Sequence, residues 1–145
     1  MTRWTIAVGI LTGLLMGVGG YTFIYAKGAS YLTNDPAACA NCHVMNDYYA
    51  KWRRSSHRSV AVCNDCHTPK GFLPKYFTKA NNGFWHSFYF TTGNFPDHIQ
   101  ITPRNHRVAE ASCQKCHAAL TQTMSPGHGS PTGCVKCHGK IGHPQ

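Results

Sequence analysis

The sequence predicts a mainly α-helical chain with extensive irregular loops: a single N-terminal transmembrane helix followed by a compact domain. Three observations carry that prediction. No charged residue falls between Arg3 and Lys27, a run of 23 positions. All eight cysteines fall into four CxxCH motifs, with none left over. Only residues 28–145 remain to carry those motifs, too short a stretch for four separate folds.

The uncharged run comes first. As a helix it would be about 34 Å long at about 1.5 Å per residue, and a bilayer core needs about 30 Å. A cleaved signal peptide has a shorter apolar region, typically about 7–15 residues, so a retained anchor over 1–27 is expected. The positive amino terminus and Arg3 should stay on the cytoplasmic side. That orientation makes the chain a single-pass protein of the inner (cytoplasmic) membrane with residues 28–145 in the periplasm. Gly9, Gly13 and Gly17 recur every four residues and offer a face for possible helix association.

The motifs are Cys39-Ala-Asn-Cys42-His43, Cys63-Asn-Asp-Cys66-His67, Cys113-Gln-Lys-Cys116-His117 and Cys134-Val-Lys-Cys137-His138. CxxC alone would suit zinc or disulfides. A histidine after every second cysteine suits neither, and reads as four covalently bound haem c groups. Two thiols add to two porphyrin vinyl groups while the adjoining imidazole reaches the iron. With so little protein per cofactor, the porphyrins should form most of the buried core, wrapped by short helices and loops.

Haem also reinterprets the charge. The formal net charge is +9, but four haems bring about eight propionate charges, leaving roughly +1. The excess is therefore expected to be internal compensation, with no nucleic-acid partner. The local cluster Lys51, Arg53, Arg54 and Arg58 suits propionates or phospholipid headgroups.

The motif histidines lie 24, 50 and 21 residues apart, which reads as two close haem pairs separated by a long insert. Neighbouring porphyrins must then be near enough for electrons to pass between them. Nine aromatic or leucine residues from Phe72 to Phe90 crowd the insert beside Lys70, Lys75 and Lys79, a mixture suited to a membrane interface and also to porphyrin faces. Lys79 and His86 would share one helix face about 10.5 Å apart along the axis, provided Gly83 does not break the helix. The stretches Thr91–Asn105 and Ser125–Gly133, with their prolines and glycines, are expected to be irregular.

Each iron needs ligands beyond its motif histidine. Six other histidines remain: His57, His86, His98, His106, His128 and His143. Imidazole on both sides gives a low-spin haem suited to electron transfer. The first motif alone is followed by a methionine, Met45, two positions after its histidine, and a thioether can bind haem iron or simply pack.

CxxCHxM at Cys39–Met45, Ser55-Ser56-His57, Cys63–Pro69 and Cys134–His143 together resemble the NapC/NirT/NrfH family of membrane-anchored multihaem quinol dehydrogenases. Within that family the similarity points to the small tetrahaem subunits of cytochrome c nitrite reductase, and it covers essentially the whole chain. The resemblance implies that Met45, rather than His43, is the protein ligand of a five-coordinate first haem beside the quinol site. It implies His57 as distal ligand of the third haem, whose motif histidine is His117. His143 likewise resembles the distal ligand of the second, whose motif histidine is His67. For the fourth haem it implies His138, completed by a lysine of the catalytic partner, with His128 as an alternative within this chain. Lys79 matches the family lysine that faces the quinol. His86 stands where a family member carries an aspartate, so an imidazole here could take a quinol proton or ligate the iron outright.

The resulting expectation is a tetrahaem quinol dehydrogenase subunit in the lipid bilayer. It would oxidise menaquinol, with Lys79 and His86 as proton acceptors, and pass electrons to a periplasmic multihaem catalytic subunit resembling nitrite reductase. Three rivals are a tethered electron relay with no quinol site, a terminal reductase at the first haem, and a partner of a nitrate- or hydroxylamine-linked enzyme.

Overall fold

The structure is a computed structural model that describes residues 2–123 and 133–143. It is helical, with no strand among the described residues. The chain divides into two compact units, 1–33 and 34–145.

The first unit is dominated by α1, Arg3–Tyr25. It has 23 residues, its most apolar 18-residue stretch has a mean hydropathy of 1.7, and it is long and apolar enough to cross a membrane. The helix is apolar all round, as a segment meant for lipid should be. The Cβ positions of Gly9, Gly13 and Gly17 face open space. After α1 the chain turns through Lys27, whose φ is +51°, into a short 3-10 turn, Gly28–Leu32.

The second unit is a set of short helices built around the four cysteine motifs. Asp35 opens α2 (Pro36–Cys39) by accepting a bond from the Ala37 amide at 2.9 Å, with Pro36 in the first turn where it lacks no needed donor. A 3-10 turn, His43–Met45, leads into α3, Asn46–Arg53. A second turn, Ser56–Ser59, is tied back to α3 by the Trp52 indole, which donates to the Ala61 carbonyl at 3.1 Å. In α4 (Cys63–His67) the Asp65 carboxylate reaches back to the Val62 amide at 2.9 Å, one half of a capping box.

α5 runs from Phe72 to Thr92. Pro74 lies in its first turn and costs no internal bond, and the helix continues unbroken through Gly83. It stops at Gly93, whose φ of +68° is the left-handed conformation that ends helices. The insert is therefore one long helix, and the irregular connection is only 93–102, shorter than the expected 91–105. Pro103 does not prolong that connection. It is the first residue of α6 (Pro103–Cys116), and Thr102 accepts from the Asn105 amide at 3.3 Å. Two short helices, α7 (Ala118–Thr123) and α8 (Cys134–His138), complete the unit. Of the expected loop 125–133, all but Gly133 lies outside the described residues.

The packing order is α2 on α4, α4 on α6 and α6 on α8. The four motifs thus follow one another in space in chain order. This corrects the picture of two isolated pairs: the long insert loops out and returns, bringing the second and third motifs together as closely as any. Among the described residues no apolar side chain is buried. Only Thr68, Thr78, Lys79 and Ser112 are. Helices that bury no apolar surface against each other need another surface to pack on.

Candidate functional site

The last three motifs sit on a one-turn helix or on the end of a longer one, whereas in the first Cys39 ends α2 and Cys42 lies in the bend before the 3-10 turn His43–Met45. The first cysteines of the first two motifs meet directly. The Cys39 thiol is pulled down to about 7 by a hydrogen bond with Cys63, with burial opposing and the Lys79 charge assisting, while the same contact pushes Cys63 up. Cys66 feels Cys116, and Cys113 feels Cys134. The sulfur positions therefore trace the same order as the helices.

Two pairs of histidines come together from distant parts of the sequence. His57 and His117 have ring centroids 6.2 Å apart with planes at 72°. His67 and His143 are 6.0 Å apart with planes at 9°. Two imidazoles held by one metal would stand about 6.2 Å between centroids, given metal–nitrogen bonds of about 2.0 Å and roughly 1.1 Å from nitrogen to ring centre. The side chains thus hold the separation that an axially ligated iron requires. Together with the missing apolar core, this makes the residues fit haem c. Ser56 Oγ lies 3.4 Å from His57 Nδ1. Crowding by the surrounding protein, then His143, holds His67 below the usual imidazole range, so it is in the neutral form that ligates.

At the first motif, His43 is exposed and Met45, at the end of the same turn, is half-buried. Lys79 is buried at 7% exposure on α5. Its ammonium lies 5.5 Å over the Tyr76 ring and interacts electrostatically with Cys39. Burial first, then repulsion from Lys75, lowers its pKa, with Cys39 opposing. Haem attachment would convert Cys39 to an uncharged thioether and remove that opposition. His86 shares α5 with Lys79 and is exposed, with its imidazole pKa lowered by the protein crowded around it. The helix half around it is lined by exposed Phe84, Trp85, Phe88, Tyr89 and Phe90. His138 is exposed at the end of α8, His98 is exposed in the irregular connection, and His128 lies outside the described residues.

Several residues of the site carry no sequence signal. Glu110 on α6 accepts bonds from the Cys134 and Val135 amides, both at 2.7 Å, and so docks the fourth motif on the third. Burial works against that carboxylate, but the two amide bonds and His106, 4.0 Å away, outweigh it and hold Glu110 below the usual range. Gly133, φ +60°, lies so close that a Cβ there would sit 2.6 Å from a carboxylate oxygen. Arg104 donates to Thr78 Oγ1 at 3.1 Å and Asn105 to Asn82 Oδ1 at 3.2 Å, fastening α6 to α5. Of the basic cluster expected at 51–58, Lys51 pairs with Asp47 at 3.4 Å and Arg53 covers Tyr49 at 5.9 Å. A second basic group, Lys70, Arg104, Arg107 and Lys115, surrounds a groove of about 460 Å³ floored by Pro69, Val108 and Ala111. Both groups could meet haem carboxylates.

The chain is similar to known proteins over most of its length. Residues 1–145 match the family model described as the NapC/NirT cytochrome c family, N-terminal region. Cytochrome c-type protein NrfH of Wolinella succinogenes is 36% identical over 146 residues, covering 92% of this chain and 82% of that protein. Cytochrome c-type protein TorY of Escherichia coli O157:H7 is 28% identical over 156 residues, covering 87% of this chain and 42% of TorY. In a crystal structure of the cytochrome c nitrite reductase NrfHA complex bound to the HQNO inhibitor, one chain superimposes with a TM-score of 0.69 at 27% identity. That match covers 93% of this chain and 90% of the other. The family model spans residues 1–145, sequence and fold agree with these relatives over about nine-tenths of the chain, and the chain belongs to the NapC/NirT cytochrome c family as a haem c electron-transfer subunit.

Proposed function

We propose that this chain is the membrane-anchored quinol dehydrogenase subunit of a respiratory complex, oxidising menaquinol at the first motif and delivering electrons to a periplasmic multihaem nitrite reductase. The observation that carries the reading is Lys79. The insert's one buried cation lies within electrostatic reach of the first motif, and burial, then Lys75, lowers the pKa of its amine. Oxidation of a quinol releases two protons, and a neutral amine beside the quinol oxygen can take one at Nζ. His86, on the same helix and also biased toward neutrality, is suited to take the other. The exposed aromatic half of α5 would sit at headgroup depth, where a quinol arrives from the bilayer. Residues 1–27 would anchor the chain in the inner membrane, and residues 28–145 would form the periplasmic haem domain.

Haem c, attached at the four motifs, supplies iron centres that accept and release single electrons. The half-buried Met45, rather than the exposed His43, is the better ligand of the first, leaving its other side open. His67 with His143 and His117 with His57 would close the second and third. His138 would hold the fourth, its far side completed by the partner or by His128. The NrfH similarity and the NrfHA complex support nitrite reductase as that partner.

The test is haem reduction by a menaquinol analogue in the purified holoprotein. Turnover by a Lys79→Ala/His86→Ala double variant at the native rate, with normal haem content, would remove the site. Copurification in mild detergent of a large multihaem protein other than a nitrite reductase would replace the partner.

A further inference from the structure

We propose that Tyr48 is a positioning residue: standing edge-on to the His143 ring, it holds that imidazole parallel to His67 and keeps this ligand pair distinct from the crossed His57–His117 pair. The inference rests on the ligand reading above and extends it to a residue with no motif of its own.

His143 has little else to orient it. It lies beyond α8, in a bend at 141–143 rather than in a helix. A ligating histidine is ordinarily fixed by a hydrogen bond from its second ring nitrogen, which sets tautomer and plane. Here Nδ1 of His143 is buried with no hydrogen-bond partner among the described residues. The contact present instead is aromatic. The Tyr48 ring meets His143 at 5.2 Å between centroids with planes at 89°, the edge-to-face arrangement in which the ring quadrupoles attract. Tyr48 is half-buried on α3, whose first residue follows Met45 directly. Turning His143 about its Cβ–Cγ bond would break this edge-to-face contact. His57 differs, because Ser56 Oγ approaches its Nδ1 and its plane lies at 72° to His117.

The two angles have electronic consequences. Parallel imidazoles donate into the same iron π orbital and split it from its partner. Crossed imidazoles donate into both and leave them nearly equal in energy, which gives a far more anisotropic paramagnetic signal. The ligand plane is one of the protein's means of tuning a haem, and Tyr48 would exercise it at the second motif alone.

Electron paramagnetic resonance of the oxidised full-length holoprotein in detergent reads the angle. The wild type is expected to show, beside any signal of the fourth haem, a rhombic low-spin signal that His143→Ala removes and a strongly anisotropic one that His57→Ala removes. Tyr48→Leu should move the rhombic signal toward greater anisotropy and leave the other in place, while Tyr48→Phe, which keeps the ring edge, should match the wild type. Two alike signals in the wild type would overturn the proposal, as would an unmoved rhombic signal in Tyr48→Leu. A Tyr48→Phe shift as large as that of Tyr48→Leu would overturn it too. His143→Ala separates the two levels. A rhombic signal that survives it removes His143 as a ligand, whereas one lost in His143→Ala but unmoved in Tyr48→Leu removes only the role of Tyr48. If Tyr48→Leu retains too little haem, Tyr48→Met, which fills the space without a ring, is measured the same way: a shifted rhombic signal supports the role and an unshifted one ends it.

Discussion

Replacing Lys79 by methionine separates the chemistry of that side chain from its packing. The side chain is 7% exposed, and burial followed by Lys75 repulsion holds its folded-state pKa below 10.5. The unfolded chain therefore keeps its proton where the folded chain gives it up, so stability rises with pH from the lowered folded value up to 10.5. Below that window the ammonium is charged and its burial works against the fold. Lys79→Met preserves the length of the stem, removes the charge, and should leave the fold at neutral pH as stable as the wild type or more so. Turnover should move the other way. A positioned proton acceptor contributes about 10²–10⁴-fold, which corresponds to about 2.7–5.4 kcal/mol of barrier. Lys79→Arg should lose as much, because a guanidinium does not deprotonate in proteins. The assay follows haem reduction by a naphthoquinol analogue in detergent, with haem content and thermal midpoint measured on the same samples. In the wild type the rate should rise with pH as the amine loses its proton, and that limb should be absent from both variants. Lys79→Met turning over within about threefold of the wild type, with its pH limb intact, would refute a mechanism of this size.

Other perturbations probe the rest of the domain. His57→Ala should convert one low-spin haem to a high-spin species, seen in the visible spectrum, while the His67–His143 pair keeps its signal. Glu110→Gln should loosen the fourth motif by about 1–3 kcal/mol in chemical denaturation, through loss of charge-assisted bonds to the Cys134 and Val135 amides. Because the folded pKa of Glu110 lies below 4.5, its contribution is complete above that pH and is lost as pH falls through the folded value. The wild type should therefore destabilise more steeply in acid than Glu110→Gln. Gly133→Ala combines a left-handed backbone with a Cβ 2.6 Å from the same carboxylate, and should lower the thermal midpoint with a cost of about 1–3 kcal/mol. Removing residues 1–27 should move the haem domain from the membrane fraction to the soluble one, as judged by fractionation and haem staining.

Some features are local, and local chemistry is written in the sequence. α1 could be read from its uncharged run because a membrane helix is defined by composition and length alone. The helical fold class followed from that run and from four haem motifs in a stretch too short for a side-chain core, which leaves room only for short helices and loops. Boundaries were harder where one residue type has two uses. Pro103 was taken as part of a loop and instead starts α6, since proline breaks a helix inside but suits its first turn. Gly83 was a suspected break in α5, but a single glycine costs only about 1 kcal/mol, and the helix continues through it.

Cofactor type, number of attachment motifs and the long apolar helix α1 were thus determined by sequence alone, because each depends on residues within a few positions of one another. Tertiary structure decided what depends on distant residues meeting. It folded the 50-residue insert back so that the second and third motifs pack together, brought His57 to His117 and His143 to His67, and buried Lys79 beside Cys39. It also enlisted Glu110 and Tyr48, whose neighbours in sequence give no hint of a role. A covalent motif advertises its chemistry in five residues, whereas a ligand plane, a buried amine and a docking carboxylate exist only once the chain has closed on itself.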